Sequence, residues 1–332
     1  MKVFITTGCG NIIEGGADIW TNNFIELVLP KLSEYYILVD SKKPVGWEDT
    51  YDLEKSNKLH FHFNNTDNTE QILHDCTEIH FLHANYHKRE HLWKHKNKWE
   101  NIFVHAYLPD MLKYGDSVKQ FNTNVDTEAV DDLMKYCKKR IWVGLTDSQL
   151  FTDYPNNTIT IPNFYEFKNN FLLEKLTDSK IGFTSRIESR KNVHYLDNHR
   201  GFVLTGQYDW KNILQTNQYN FSDIKFFQWD SKILDLFMKK DWSISHSCHT
   251  NEPFGYSIFQ AVDYGKLPIL HSDWGDVDYK YRVSSKEEFD SMVEIICNDS
   301  YEEQLDNWMR LSNWMIQYDD KWGWANKIKK LF

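Results

Sequence analysis

The sequence predicts an α/β protein built as two domains, each with helices alternating around a largely parallel sheet. Three observations carry this expectation. The chain opens with an apolar strand, Lys2–Thr7, then a glycine-rich turn (Gly8-Cys9-Gly10 and Gly15-Gly16) and a helical stretch, 17–32, which is the opening of a Rossmann-like unit. Short apolar runs alternate with helical stretches again in the second half, from Lys180 to Ile316. Finally, 332 residues are enough for two substantial cores.

Composition bounds the function classes. The formal charge of −10 excludes a general affinity for nucleic acid or an anionic membrane. With 13 Trp, 18 Tyr and 21 Phe the chain has the apolar content of a folded protein rather than a disordered one. The 5 cysteines, Cys9, Cys76, Cys137, Cys248 and Cys297, are scattered and form no CxxC pair, so neither a disulfide framework nor a thiolate zinc site is expected. The start, MKVFITTGCGNII, has no basic flank and no long apolar core, and no window reaches the ~20 apolar residues of a membrane span. A cytoplasmic location is the expectation.

Along the first half, Tyr36–Val39, Leu59–Phe63 and Ile79–Leu82 read as further strands. Histidines crowd this region, and His87, His91 and His95 have the spacing of one helix face. No HExxH or carboxylate cluster accompanies them, so no metal is expected. The segment 87–99 carries Lys88, Arg89, Lys94, Lys96 and Lys98 against the single acid Glu90. It reads either as a solvated helix face or as a basic face for an anionic acceptor, DNA phosphates included. Asn101–Tyr107 is a strand with His105 near its carboxyl end, the edge at which open α/β sheets hold their sites; a packed core histidine is the plain alternative. Asp110 follows as a weaker candidate.

Arg140–Leu145 and Thr158–Ile161 are strands, and Pro162-Asn163 with the polar stretch 166–170 marks the link between domains. The second domain opens with a strand running into Ser185, Arg186 and Lys191. A strand at Phe202–Thr205 ends in Gly206, and Asp223–Phe227, a helix at Ser231–Lys239 and a strand at Trp242–Ser245 follow. Next comes Glu252-Pro253-Phe254-Gly255, a short helix from Tyr256 to Tyr264, Gly265 past its end, and an apolar strand after Pro268. The backbone N–H groups at Phe254, Gly255 and Tyr256 face the positive end of that helix, a place that attracts phosphate. Helices at 285–298 and 301–318 and a tryptophan-rich tail close the chain.

The run Glu252-x-Phe254-Gly255, apolar helix, Gly265-x-x-Pro268 and strand resembles the signature of retaining GT-B glycosyltransferases. The glycine loop, His105, the Pro162-Asn163 link and the Arg186/Lys191 pair occur in the order that family shows. The resemblance implies two Rossmann-like domains facing each other across a donor-binding cleft: 1–168 for the acceptor, 169–310 for the donor, and 311–332 bracing back on the first domain. It implies sugar transfer from a nucleotide-sugar such as a UDP- or GDP-sugar, with no further cofactor. It places Arg186 and Lys191 on the diphosphate, Glu252 on sugar hydroxyls, and Ser185, Gly206, Phe254 and the Gly255 and Tyr256 amides around the donor phosphates. Gly15 and Gly16 would let the backbone approach the donor, and His105 would lie near the reacting sugar. Gln260 stands where the family carries a second glutamate on the ribose. The acceptor implied is a surface glycan or lipopolysaccharide; the glycine loop, His105 and the Arg/Lys pair also resemble phage enzymes that glycosylate hydroxymethylated DNA bases. A non-catalytic binder of nucleotide-sugar or DNA is the remaining alternative, motivated by Gln260.

Overall fold

The computed structural model describes residues 1–6, 16–32, 34–39, 59–61, 67–83, 98–106, 139–145, 158–168, 172–173, 175–176, 178–187, 189–206, 219–250 and 252–331. The chain divides into two compact units, Met1–Asn163 with Trp322–Phe332, and Phe164–Lys321.

The first unit is a seven-stranded parallel sheet. Its strands are β1 (Lys2–Thr6), β2 (Tyr35–Val39), β3 (Leu59–Phe61), β4 (Glu78–His83), β5 (Asn101–Ala106), β6 (Lys139–Trp142) and β7 (Thr158–Thr160), in the order β3-β2-β1-β4-β5-β6-β7. The chain therefore reverses its direction of travel across the sheet between β1 and β4, which is a topological switch point. Helix α1 (Gly16–Leu27) covers β1 with Trp20 and Phe24, both fully buried. It is shorter than the periodicity of 17–32 predicts, because Pro30 has no N–H to continue the ladder and the chain tightens into a 3-10 turn at Leu29–Lys31. Helix α2 (Asp67–Asp75) has only Ile72 and Leu73 as large buried apolar side chains, too few to show as a period in the sequence.

The second unit is a six-stranded parallel sheet of β8 (Ile181–Thr184), β9 (Gly201–Thr205), β10 (Ile224–Gln228), β11 (Ile244–Ser247), β12 (Leu267–His271) and β13 (Arg282–Val283), ordered β10-β9-β8-β11-β12-β13. Here the switch point lies between β8 and β11. Both strands are buried along their whole length, as strands covered on two faces must be. Between β10 and β11 runs α3 (Ser231–Met238), whose N-cap Asp230 accepts from the Lys232 amide at 2.8 Å.

Strand β11 begins two residues later than the sequence predicts. Trp242 is occupied elsewhere: its backbone turns back onto Lys240, its indole N–H donates to the Phe237 carbonyl at 2.9 Å, and its ring fills the space over Gly182. Helix α4 (Tyr256–Asp263) follows β11 and ends in a left-handed Gly265 (φ 67°). There the Gly265 and Lys266 amides take up the Val262 and Ala261 carbonyls, both at 2.9 Å. Pro268 lies inside β12 rather than ahead of it. Helices α5 (Lys286–Asn298) and α6 (Tyr301–Ile316) are capped by Ser285 and by a Ser300/Glu303 capping box. Helix α7 (Lys321–Lys329) carries the chain back to the first unit, where Trp324 packs edge-on against Trp20 with centroids 5.0 Å apart. No helix among the described residues is long and apolar enough to cross a membrane.

Candidate functional site

A group of largely buried charged side chains lies at the switch point of the second sheet. After β8 the chain forms a 3-10 turn, Ser189–Lys191, and Asn192 then adopts a left-handed conformation (φ 50°) that asparagine tolerates better than most residues. Three contacts hold that turn against the end of β11. The Asn192 side-chain amide donates to the Cys248 carbonyl at 2.8 Å and to the Thr250 hydroxyl at 3.0 Å, and the Thr250 amide donates to the Arg190 carbonyl at 2.8 Å. Beneath them His246, fully buried, donates from Nε2 to the Asn192 carbonyl (2.8 Å) and accepts at Nδ1 from the Cys248 amide (3.2 Å). These two backbone partners fix its tautomer. Burial, only partly offset by the bond to the Asn192 carbonyl, holds its pKa down at about 4, so it stays neutral.

On this frame sit Arg190, Lys191, His249 and Glu252. Lys191 Nζ makes a short ion pair with Glu252 Oε2, and Arg190 Nη1 reaches the same oxygen at 3.1 Å. His249 Nδ1 lies 3.2 Å from Lys191 Nζ and 3.8 Å from Glu252 Oε2. Desolvation raises the Glu252 pKa, but the charges of Lys191 and Arg190 overcome it and bring the carboxyl down to about 2. Burial, then the neighbouring Lys191 charge, holds His249 well below the ordinary histidine range. The four side chains thus comprise two cations, one carboxylate and one neutral imidazole.

The rest of the expected donor site is placed around this group or away from it. Ser185 and Gly206 lie half-buried just past β8 and β9, at the carboxyl edge of the sheet. Gly255 caps α4 with φ 81°, and a Cβ there would fall 2.7 Å from Ile258 Cδ1, so this turn accepts glycine and little else. Phe254 turns inward, its ring stacked on Phe259 at 4.5 Å, so at the site it has only its backbone to offer. Tyr256 also points away from open solvent, its hydroxyl donating to the Phe164 carbonyl at 3.3 Å. Gln260 is half-buried in α4.

Arg186 is exposed, and the arginine beside Lys191 on Glu252 is Arg190. The sequence reading missed Arg190 and His249. The tandem Arg190-Lys191 was visible, but a 3-10 turn that sends both side chains to one carboxylate is not a sequence pattern.

In the first unit His105 is 1 % exposed, and its ring sits edge-on to Trp20 and Phe24. Its Nδ1 accepts from the Trp20 indole at 3.2 Å, which leaves the proton on Nε2, and burial holds its pKa well below the ordinary value. The packed environment named as the alternative is the one the ring occupies. Gly16 is the first residue of α1, and Lys98 is exposed ahead of β5. Gly15, Lys88, Arg89, Lys94, Lys96, Asp110 and the histidines at 87, 91 and 95 lie outside the described residues. Among the described residues no group of three histidine, cysteine or carboxylate side chains could hold a metal ion.

The fold of two parallel sheets is matched by solved structures of glycosyltransferases. The lipopolysaccharide outer core galactosyltransferase WaaB is 13% identical, with 99% of this chain and 100% of that chain covered and a TM-score of 0.59. The T4 phage BGT in complex with its UDP-glucose substrate is 12% identical over 99% of both chains, with a TM-score of 0.56. The fold is GT-B. The pneumococcal O-GlcNAc transferase GtfA, in complex with UDP and GlcNAc, shares it at 13% identity and a TM-score of 0.54 over 77% of this chain. This chain spans only 56% of the length of that protein, whereas it matches WaaB and the phage enzyme over their whole length. No family model matches the sequence, and no curated relative matches it.

Proposed function

We propose that this chain is a glycosyltransferase that moves a sugar from a nucleotide-sugar donor to a hydroxyl acceptor, with retention of configuration at the anomeric carbon. The observation that carries the reading is the Arg190–Lys191–Glu252 group at the switch point of the second GT-B sheet. Breaking a sugar–phosphate bond leaves a nucleoside diphosphate, and fixed cations stabilise that charge where it develops. In this scheme Lys191 and Arg190 face the diphosphate, with Arg186 on the same loop further out, and the Gly255 and Tyr256 amides add the positive end of α4. Glu252 turns to the hydroxyls of the sugar, Gln260 bonds the ribose without a charge, and Ser185 and Gly206 line the approach. The leaving phosphate oxygen takes the acceptor proton, so the scheme requires no separate protein base. The cations and the helix end supply the electrostatic stabilisation that a metal ion would otherwise bring, so no metal cofactor is part of the proposal.

For the acceptor we favour a surface glycan or lipopolysaccharide, supported by the whole-length likeness to WaaB, whose described role is lipopolysaccharide outer core galactosyl transfer. The resemblance of the glycine loop, His105 and the Arg/Lys pair to phage enzymes that glycosylate DNA bases, beside the whole-length likeness to a phage enzyme solved with UDP-glucose, supports a second reading, transfer to hydroxymethylated DNA bases through the basic segment 87–98. A panel of nucleotide-sugars tests both, with released nucleoside diphosphate measured with and without hydroxymethylated DNA and with a lipopolysaccharide core acceptor. Release stimulated by the core saccharide alone supports the first reading, and release stimulated by modified DNA alone supports the second. Absence of release from every donor and acceptor would overturn both and leave a non-catalytic binder.

A further inference from the structure

The group at the switch point contains one member that the proposed chemistry does not use, His249. It follows β11 by two residues and is 1 % exposed, with its ring edge-on to Phe183 at 6.0 Å. Nδ1 is 3.2 Å from Lys191 Nζ. An ammonium group only donates, so Nδ1 must accept and the ring proton must sit on Nε2. Nε2 is itself buried and has no hydrogen-bond partner among the described residues. A buried N–H left without an acceptor is a desolvation cost that a phenylalanine or leucine filling the same space would not incur. The imidazole is therefore a poor choice for stability here, and the nitrogen of the ring that finds a partner is the one on Lys191.

We propose that His249 is a positioning residue for Lys191: its neutral Nδ1 holds the ammonium in place without cancelling its charge. This rests on the reading above, in which Lys191 faces the departing diphosphate. Glu252 and His249, both in contact with Lys191, differ in this respect. Glu252 pins the ammonium and also neutralises it; an imidazole lone pair pins it and leaves the full charge to act on an anion. When Glu252 turns to the sugar hydroxyls, Lys191 loses that ionic contact, and holding a long, flexible side chain in place then falls more heavily on its other contacts. His249 supplies one that does not depend on Glu252. The Thr250 amide on the Arg190 carbonyl and the Asn192 amide on the Cys248 carbonyl hold the two loops in register for this contact.

The test has two arms. In the first, nitrogen NMR of the imidazoles in the wild-type protein reads the tautomer of His249 with no need for activity. The expected result is an unprotonated Nδ1 and a protonated Nε2, with the Nδ1 resonance shifting in Lys191→Met. A protonated Nδ1, or no shift in Lys191→Met, overturns the proposal. In the second, steady-state release of nucleoside diphosphate is measured for His249→Leu, His249→Asn, His249→Gln and each combined with Lys191→Ala, after circular dichroism has confirmed folding. His249→Leu should lower kcat about ten-fold or more with KM changed less than about three-fold. His249→Asn, whose amide oxygen can sit where Nδ1 sits, should restore most of the loss, and His249→Gln should not. On the Lys191→Ala background His249→Leu should cost nothing further. Equal loss in Asn and Leu, or additive loss with Lys191→Ala, overturns the proposal. A wild type that fits the NMR expectation but releases no product from any donor overturns the glycosyltransfer reading instead.

Discussion

Glu252→Gln isolates the electrostatics of the switch-point group, because the amide keeps the shape of the side chain and removes its charge. The Glu252 carboxyl titrates at about 2 in the folded protein against an ordinary 4.5, with desolvation working against the shift and Lys191 and Arg190 producing it. At ~1.36 kcal/mol per pKa unit this is about 3 kcal/mol of folding stability at neutral pH. A folded-state pKa below the unfolded one means that the contribution is complete above pH 4.5 and is lost as pH falls toward 2. By pH 3 roughly half of it is gone. Lys191 and Arg190 are mostly buried, so the mutation also removes a carboxylate that faces both cations. The assay is urea unfolding followed by circular dichroism at pH 7 and pH 3, with hydrogen exchange at pH 7 to locate the loss. Glu252→Gln should be less stable by about 3 kcal/mol at pH 7, the deficit should roughly halve at pH 3, and faster exchange should fall within 181–271. A deficit below about 1 kcal/mol at pH 7, or one that does not change with pH, would refute the account of Glu252 as the counter-ion of both cations.

Lys191→Ala should lower release of nucleoside diphosphate by about a hundred-fold or more, at ~3 kcal/mol for one fixed cation on a developing charge; a loss under about five-fold in steady-state kinetics would count against its role. The two histidines that burial holds at about 4, His80 in the first unit and His246 in the second, should make stability fall as pH drops. The unfolded chain takes up their protons first, so each contributes fully above pH 6.5 and loses about 3 kcal/mol by pH 4; His246→Asn should remove one proton from the slope measured in urea melts between those limits. Gly182→Ala would set a Cβ 2.4 Å from the buried Trp242 ring and should cost about 1–3 kcal/mol in unfolding free energy, with the Trp242 indole bond to Phe237 disturbed.

The fold was legible because both sheets are parallel and their central strands are mostly buried. Such strands read as uninterrupted apolar runs, and those at Lys2, Ile79, Phe202 and Ile269 stand out from polar neighbours. Boundaries were less legible where one side chain decides them. Trp242 is apolar and adjoins a strand, but its indole is drawn to the Phe237 carbonyl, so the strand starts at Ile244. Helix α2 and strand β13 escaped notice because they bury little: Ile72 and Leu73 in one, and in the other only two residues, of which Val283 is buried. At the site, the resemblance assigned Lys191 and Glu252 to different parts of one donor, and that their side chains touch was not in the sequence. Nor was which arginine joins them, because Arg186 and Arg190 are both in a loop and the choice is made by a 3-10 turn ending in a left-handed Asn192.

The charge of the group bears on how a donor would enter it. Two cations against one carboxylate and a neutral imidazole leave one net positive charge among these four side chains. A diphosphate carries more negative charge than that, so on entering it competes with Glu252 for Lys191 and Arg190 rather than finding them waiting. The two cations meet Glu252 at the same oxygen, Oε2, so a move of that carboxylate disturbs both ion pairs together. That disturbance has a cost, since a carboxylate with a pKa near 2 is strongly held. The cost is recovered only if the displaced carboxylate finds donors of its own, which sugar hydroxyls provide and a bare nucleoside diphosphate does not. The same ion pair that stabilises the empty fold would then favour the whole nucleotide-sugar over its product, and would draw Glu252 back onto the cations as the diphosphate leaves.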